Sequence, residues 1–243
     1  MKNISVKYQL IIFLTAFALF LSVLDRDVLF LIATAVSVVV ALATEAVIAY
    51  IKKRKLFFSD SAVITGLIIG FVLYDRNAWW LFCAAASMAI VFKHLVRVNG
   101  KHIFNPAAFG VLSVILLFGA DTQWKGTYYW QILIPVGIYF AYKVRKLDLI
   151  ISYALVSFLL FGAQALIYQR PITEVAGYFS FFYIFIMMIE PKTTPIKKKA
   201  KIIFGVLVAV LIFSLTNLGA RFDVELASLL TANAAVLLLN NVK

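Results

Sequence analysis

Apolar residues fall in ten runs along this chain, separated by short polar stretches: 8–24, 28–50, 57–74, 78–92, 103–119, 128–142, 149–168, 175–189, 202–217 and 224–240. A helix that crosses a bilayer needs roughly 20 such residues. The pattern therefore predicts an all-α integral membrane protein of about ten transmembrane helices. Two runs, 78–92 and 175–189, have only 15 residues each, so they borrow flanking aromatics, thin the bilayer or stop short inside it. The first run is too long for the core of a signal peptide and no small-residue cleavage site follows it, so none is expected. No linker interrupts the series. Residues 1–243 read as a single transmembrane domain.

Ten segments divide into five plus five, and an odd number per half sends the second half into the membrane from the opposite side. Inverted repeats over about 8–119 and 128–240 are the expectation. A faint echo supports it: FNPAAFGVL, from Phe104 in the fifth run, against TANAAVLLL, from Thr231 in the tenth, each with an Asn before a pair of alanines.

Composition agrees with a membrane protein. The chain is 64% hydrophobic with 22 Phe and a mean hydropathy of +0.99, well above soluble domains. A net charge of +12 could point to nucleic acid, but the positions of the charges argue otherwise. Alternate loops are rich in Lys and Arg, among them Lys52, Lys53, Arg54, Lys55 and Lys197, Lys198, Lys199, Lys201, while the loops between them carry one basic residue each. The positive-inside rule then puts both termini in the cytoplasm of a multi-pass protein of the cell inner (plasma) membrane. The basic clusters read as topology determinants that touch anionic lipid. Nucleic acid is not expected as a partner.

Several polar residues interrupt the apolar runs. Asn105 and Pro106 open the fifth: Asn caps free amides, and Pro fits a first helical turn. Such a start is an ordinary capped span or, at membrane depth, a positive helix end aimed at an anion or polar cofactor. In DSAVITG, Asp60 and the hydroxyls suit a helix cap, with Thr65 and Gly66 one turn further in. Glu45 is expected to snorkel to the surface rather than pair with the basic loop after it. His94 and His102 lack acidic partners nearby in sequence, so they read as interface residues and no metal site is expected. In IMMIEPKTTP, Pro191 and Pro195 bracket Lys192, Thr193 and Thr194, which reads either as a functional loop that exposes backbone donors and acceptors or as a plain cytoplasmic turn with proline as the helix stop. Cys83 is alone, so the chain by itself holds neither a disulfide nor a four-cysteine cluster. Phosphate-loop, HExxH and nucleophile-elbow motifs are missing, and redox chemistry would need a bound cofactor.

The ordered set DSAVITGLIIGFVL, a basic loop, FNPAAFG, MMIEPKTTP, KIIFGVLVAVLI and LLTANAAVLLL resembles one family. It is the family of membrane proteins shared by NqrB of the Na+-translocating NADH:quinone reductase and RnfD of the Rnf electron-transport complex (NqrB/RnfD). The resemblance runs from Ser59 onward. It implies ten spanning helices in inverted repeats, a urea-transporter-like fold, flavin (FMN or riboflavin), and other membrane subunits of an electron-transport complex as partners. Residue by residue, Asp60, Thr65, Gly66, Asn105, Pro106 and Ala107 match the first-half motif. Glu190, Thr193 and Thr194 fall on the second-half motif, with Glu where the family has Asp. Asn233 joins them as a candidate cofactor-binding residue.

Departures from the pattern matter too. The family attaches FMN to the threonine of a Ser/Thr-Gly-Ala-Thr motif between the fifth and sixth spans, whereas this chain has ADTQWKGTYYW, with Lys125, Gly126 and Thr127 the nearest equivalent. Asn240 and Asn241 replace the usual acidic residue closing the last helix. The reading is a reduced member that either holds a flavin noncovalently between its halves or holds none. The alternative is a small-solute or ion channel or transporter on the same scaffold, with the helices of Asn105 and Asn233 lining a pore.

Overall fold

The computed structural model describes residues 4–53, 59–74, 78–98 and 100–240. Arg54 and Lys55 of the first basic cluster, Phe57 at the start of the third run and Asn241 lie outside the described residues. The chain forms two compact units, 1–126 and 127–243.

In the first unit α1 (Val6–Leu24) and α2 (Val28–Ile51) are long and apolar enough to cross a membrane. Ser5 caps α1 and Asp27 caps α2, each by accepting the amide three residues on. Between these and α4 (Trp79–Leu95) lies α3 (Asp60–Val72), buried from Thr65 to Val72 without a break. Its 13 residues span about 20 Å at 1.5 Å per residue, short of the roughly 30 Å hydrocarbon core. Close approach to α2 is what the glycine at 66 permits: an added Cβ would stand 2.5 Å from Val38 Cα, so this glycine serves helix packing rather than ligand approach. The cap of α3 is Ser59, whose Oγ accepts the Ala62 amide at 3.4 Å. Asp60, expected at the cap, is one residue inside it, at the positive end of the helix dipole.

α3 ends within the fold, and its last carbonyls need partners. The chain after α5 (Pro106–Phe118) supplies them. β1 (Leu73–Tyr74) pairs antiparallel with β4 (Asp121–Thr122). Gln123 then donates its amide to Val72 O at 2.8 Å, and Lys125 its amide to Phe71 O at 2.7 Å. The Gln123 side-chain amide reaches Gly70 O at 3.2 Å and Leu73 O at 2.9 Å. With Leu73 N on Ile69 O, the end of the helix is closed by a strap from far along the chain. A second two-residue ladder, β2 (Arg97–Val98) with β3 (Lys101–His102), turns the chain from α4 into α5.

The second unit holds α6 (Trp130–Lys143), α7 (Leu147–Ile167), α8 (Lys198–Asn217) and α9 (Val224–Leu239). Two of these, α7 and α8, are long and apolar enough to cross a membrane. The expected eighth span, 175–189, is not one helix. A 3-10 stretch, Ile172–Tyr178, breaks at Phe179, and a short helical piece with a π-helical core, Tyr183–Met187, follows. Ser180 restarts it, its Oγ accepting the Tyr183 amide at 3.3 Å. Residues 182–189 are buried throughout. High hydropathy here reports burial, and the run is too short and too bent to span by itself.

Across the described residues the architecture is all-α apart from these short ladders, in keeping with an all-α membrane protein.

Candidate functional site

Within the first unit the polar groups converge where α2, α3 and α4 meet. Glu45, late in α2, accepts from Lys93 Nζ of α4 at 2.8 Å and lies 2.9 Å from His94 Nε2. Lys93 Nζ also donates to Ser61 Oγ in the first turn of α3 at 2.7 Å. The side chains of Glu45 and Lys93 are about nine-tenths buried. Glu45 therefore does not snorkel, because a partner 48 residues away satisfies it inside. Both histidines correct the interface reading as well: His94 packs against Glu45, and His102 is buried.

Next to this cluster is the expected helix start. Asn105, 2% exposed, accepts the Ala108 amide on Oδ1 at 3.0 Å. Pro106 is the first residue of α5, and Ala107 is buried behind it. Thr65 Oγ1 donates to Ser61 O at 2.8 Å. A small cavity beside them is lined by Lys93, His102, Pro106 and the aromatic rings of Phe92, Phe104 and Phe109. Phe92 and Phe109 stack with centroids 3.7 Å apart.

Away from these, Lys125 on the strap bonds Asp25 and Asp27 at 3.0 Å each and lies over the Phe30 ring. Burial works against its charge, but the two carboxylates outweigh burial and hold the ammonium above its usual range. This clamp and the bonds of Gln123 fix the linker in which the family's flavin threonine would sit. Gly126 adopts φ 89°, which suits glycine alone among common residues.

The second unit gathers Glu190, Thr193, Thr194 and Asn233. Thr194 Oγ1 donates to Glu190 O, Thr193 Oγ1 to the Glu190 carboxylate at 3.3 Å, and Asn233 Nδ2 to Thr193 O at 2.9 Å. Thr193, Thr194 and Asn233 are all buried. Asn233 stands ten residues past Asp223, which caps α9 by accepting the Leu226 amide at 2.9 Å. The sequence echo thus misaligns two roles: Asn105 begins a helix, while Asn233 bridges from the middle of one. At the far end of α9, Asn240 Oδ1 accepts the Ile196 amide.

Sequence reasoning missed Lys146. It precedes α7, is 4% exposed, and donates to Thr194 O at 3.2 Å and Pro195 O at 2.6 Å. Beside it Lys201 donates to Arg145 O and Asp148. Loss of hydration and the neighbouring Lys201 charge bring the Lys146 ammonium down to about 8. A base whose folded pKa is depressed costs stability while charged, so stability should rise as pH climbs from about 8 toward the unfolded value of 10.5. The rise is at most roughly 3 kcal/mol. Unfolding in detergent across pH 7 to 10 checks it, and Lys146→Met should flatten the curve over that window.

These donors bear on a flavin. Thr65, Thr193, Thr194 and Asn233 each spend a donor on the protein itself, and the Asn105 acceptor closes α5.

A family model described as the NQR2, RnfD, RnfE family matches residues 2–131, more than half of the chain. The chain belongs to that family. Among its relatives is the RnfD protein of the ion-translocating oxidoreductase complex of Pseudomonas aeruginosa (strain PAO1), 38% identical over 90 residues, 35% of this chain and 26% of the relative. The protein of the same name from Shewanella piezotolerans is 31% identical over 100 residues, 39% and 29% of the two chains. That from Yersinia enterocolitica is 28% identical over 120 residues, 45% and 32%. The matches span only about a quarter to a third of the relatives' length. Within the matched half of the NQR2, RnfD, RnfE member lie the Glu45–Lys93 pair, the α3 cap and the Asn105 helix start.

Proposed function

We propose that this chain is a membrane subunit of an ion-translocating electron-transport complex, working beside other membrane subunits in the inner membrane. The observation that carries this is the family match over residues 2–131, with relatives named as the RnfD component of an ion-translocating oxidoreductase complex. Ten membrane-embedded segments, five in each unit, form inverted repeats of a urea-transporter-like kind, with both termini cytoplasmic. In support, the third segment of each unit is short, buried and restarted on a serine, Ser59 or Ser180. The fifth segment of each starts on an Asn or Asp cap, Asn105 or Asp223.

Any flavin on this chain is held noncovalently. The linker that would carry a covalent FMN is a strap closing α3, and the hydroxyl of Thr127 lies 3.2 Å from Ser180 Oγ. Tagged protein purified from its native membrane should bring down further membrane subunits, and absorbance near 450 nm reports flavin. After acid precipitation that colour should stay in the supernatant. Colour in the pellet would overturn the noncovalent reading. A chain that purifies without partners and transports a solute in liposomes would overturn the complex and favour the channel.

A further inference from the structure

In the second unit the two helices long enough to cross a membrane, α7 and α8, start at the same level. Lys201 Nζ, in the first turn of α8, donates to Arg145 O just before α7 at 2.8 Å and to Asp148 Oδ2 at 3.1 Å. Lys198 Nζ lies 4.0 Å from the other oxygen of Asp148. Lys146 ends on the carbonyls of Thr194 and Pro195 and forms no ion pair among the described residues. Arg145, Lys146, Lys198 and Lys201 thus gather at one corner, where two of them share the Asp148 carboxylate. α7 and α8 open on Lys146 and Lys197 without a side-chain cap, whereas α1, α2, α3, α5 and α9 open on capping Ser, Asp or Asn. Lysine at the positive end of a helix has the wrong sign. The corner holds more positive charge than these contacts neutralise.

Further along the same two helices the surface turns apolar. They lie close together, since a Cβ added at Gly205 of α8 would stand 2.2 Å from Ser152 Oγ and 2.5 Å from Leu149 O of α7. On α7, Ile151 and Leu155 continue the face that Asp148 begins; on α8, Ile202 continues the face that Lys198 begins. All three are exposed. At 1.5 Å per residue they lie about 5–10 Å beyond the charged groups. Two rows of exposed apolar side chains therefore start from an acid and a lysine that face each other at 4.0 Å.

We infer that this corner is a docking site for the headgroup phosphate of an anionic phospholipid, whose acyl chains lie along the rows of Ile151, Leu155 and Ile202. Arg145 and Lys198 are exposed and make the direct contacts. Lys201 and Lys146 are buried behind them and act through their charge. The order of basic head and apolar rows is that of a lipid; a soluble anion or an acidic peptide would leave the rows unused. Topology alone asks only that basic residues stay on one side of the membrane, whereas a basic pocket between helices fixes their positions around one headgroup. Binding belongs to this chain alone and stands apart from its place in a complex.

The test uses the purified full chain in nonionic detergent, titrated with phosphatidylglycerol, with phosphatidylcholine of the same acyl chains, and with inorganic phosphate. Radiolabelled phosphatidylglycerol in mixed micelles should bind saturably. Melting temperature should climb with that lipid and stay flat with the other two, as linkage requires. Lys198→Gln and Arg145→Gln should each weaken binding several-fold while melting like the parent in phosphatidylcholine, which shows that they are folded. Lys52→Gln, an equal loss of charge at an exposed lysine of the first unit, should leave binding unchanged. With phosphatidylglycerol bound, the rise in stability that Lys146 gives above a pH of about 8 should move to higher pH, because a nearby phosphate favours the charged ammonium. Equal binding of phosphatidylcholine or an equal melting shift from inorganic phosphate would overturn the proposal. So would a Lys52→Gln loss that matches Lys198→Gln, or no lipid binding at all, as when the corner awaits an acidic segment of another subunit.

Discussion

Lys93→Met protein is expected to lose about 3–5 kcal/mol of unfolding free energy, because removing one partner of a buried pair strands the other charge. Methionine keeps the length and apolar stem of lysine, so packing changes little. What it removes is the ammonium 2.8 Å from Glu45 and 2.7 Å from Ser61. Glu45 is then left with His94 alone, which has to take a proton to serve as counter-ion. The partner change separates charge from volume: Lys93→Met combined with Glu45→Gln should recover most of the loss, since a buried pair replaced by neutral groups of like size is often close to neutral in stability. Denaturant titration in detergent micelles reads both. A single variant within about 0.5 kcal/mol of the parent would mean that water reaches the pair and screens it.

The same pair shows where sequence reading stops. Asn105 with Pro106 is legible because capping is local: both roles are settled within four residues, and the structure places them as expected. Asp60 misses by one position for the same local reason, since Ser59 competes for the cap and wins. Glu45 is misread because its partner is 48 residues away, and nothing near it in sequence distinguishes a snorkelling carboxylate from a paired one. Segment 175–189 is misread because hydropathy measures composition and not continuity. Ser180, with a helical piece beginning just after it, holds the signal for the break. Asn233 stands out through an alanine-rich echo, whereas the helix start that matches Asn105 is Asp223, a residue with the same capping chemistry but no similar neighbours. The alternation of basic loops points to ten segments, and it does not show that α3 and the eighth segment are too short to cross.

Gln123→Leu should cost roughly 1–3 kcal/mol through the carbonyls it abandons, an amount set by leaving buried acceptors without donors. Nothing in ADTQWKGTYYW marks Gln123 as structural, yet its side-chain amide serves both Gly70 O and Leu73 O at the end of α3. The partial exposure of Gln123 puts the loss toward the lower half of that range. Leucine keeps the backbone bonds that residues 123 and 125 make to Val72 and Phe71, so the strap stays seated and only the side-chain donors vanish. Gln123→Glu sharpens the test, because the carboxylate has the same shape and faces those carbonyls with lone pairs in place of protons. At neutral pH it should lose at least as much as the leucine variant and recover part of the loss on acidification, when the protonated acid can donate once. If both variants unfold like the parent, the backbone bonds alone close the helix. The side chain would then be a bystander at a helix end that the strap already satisfies.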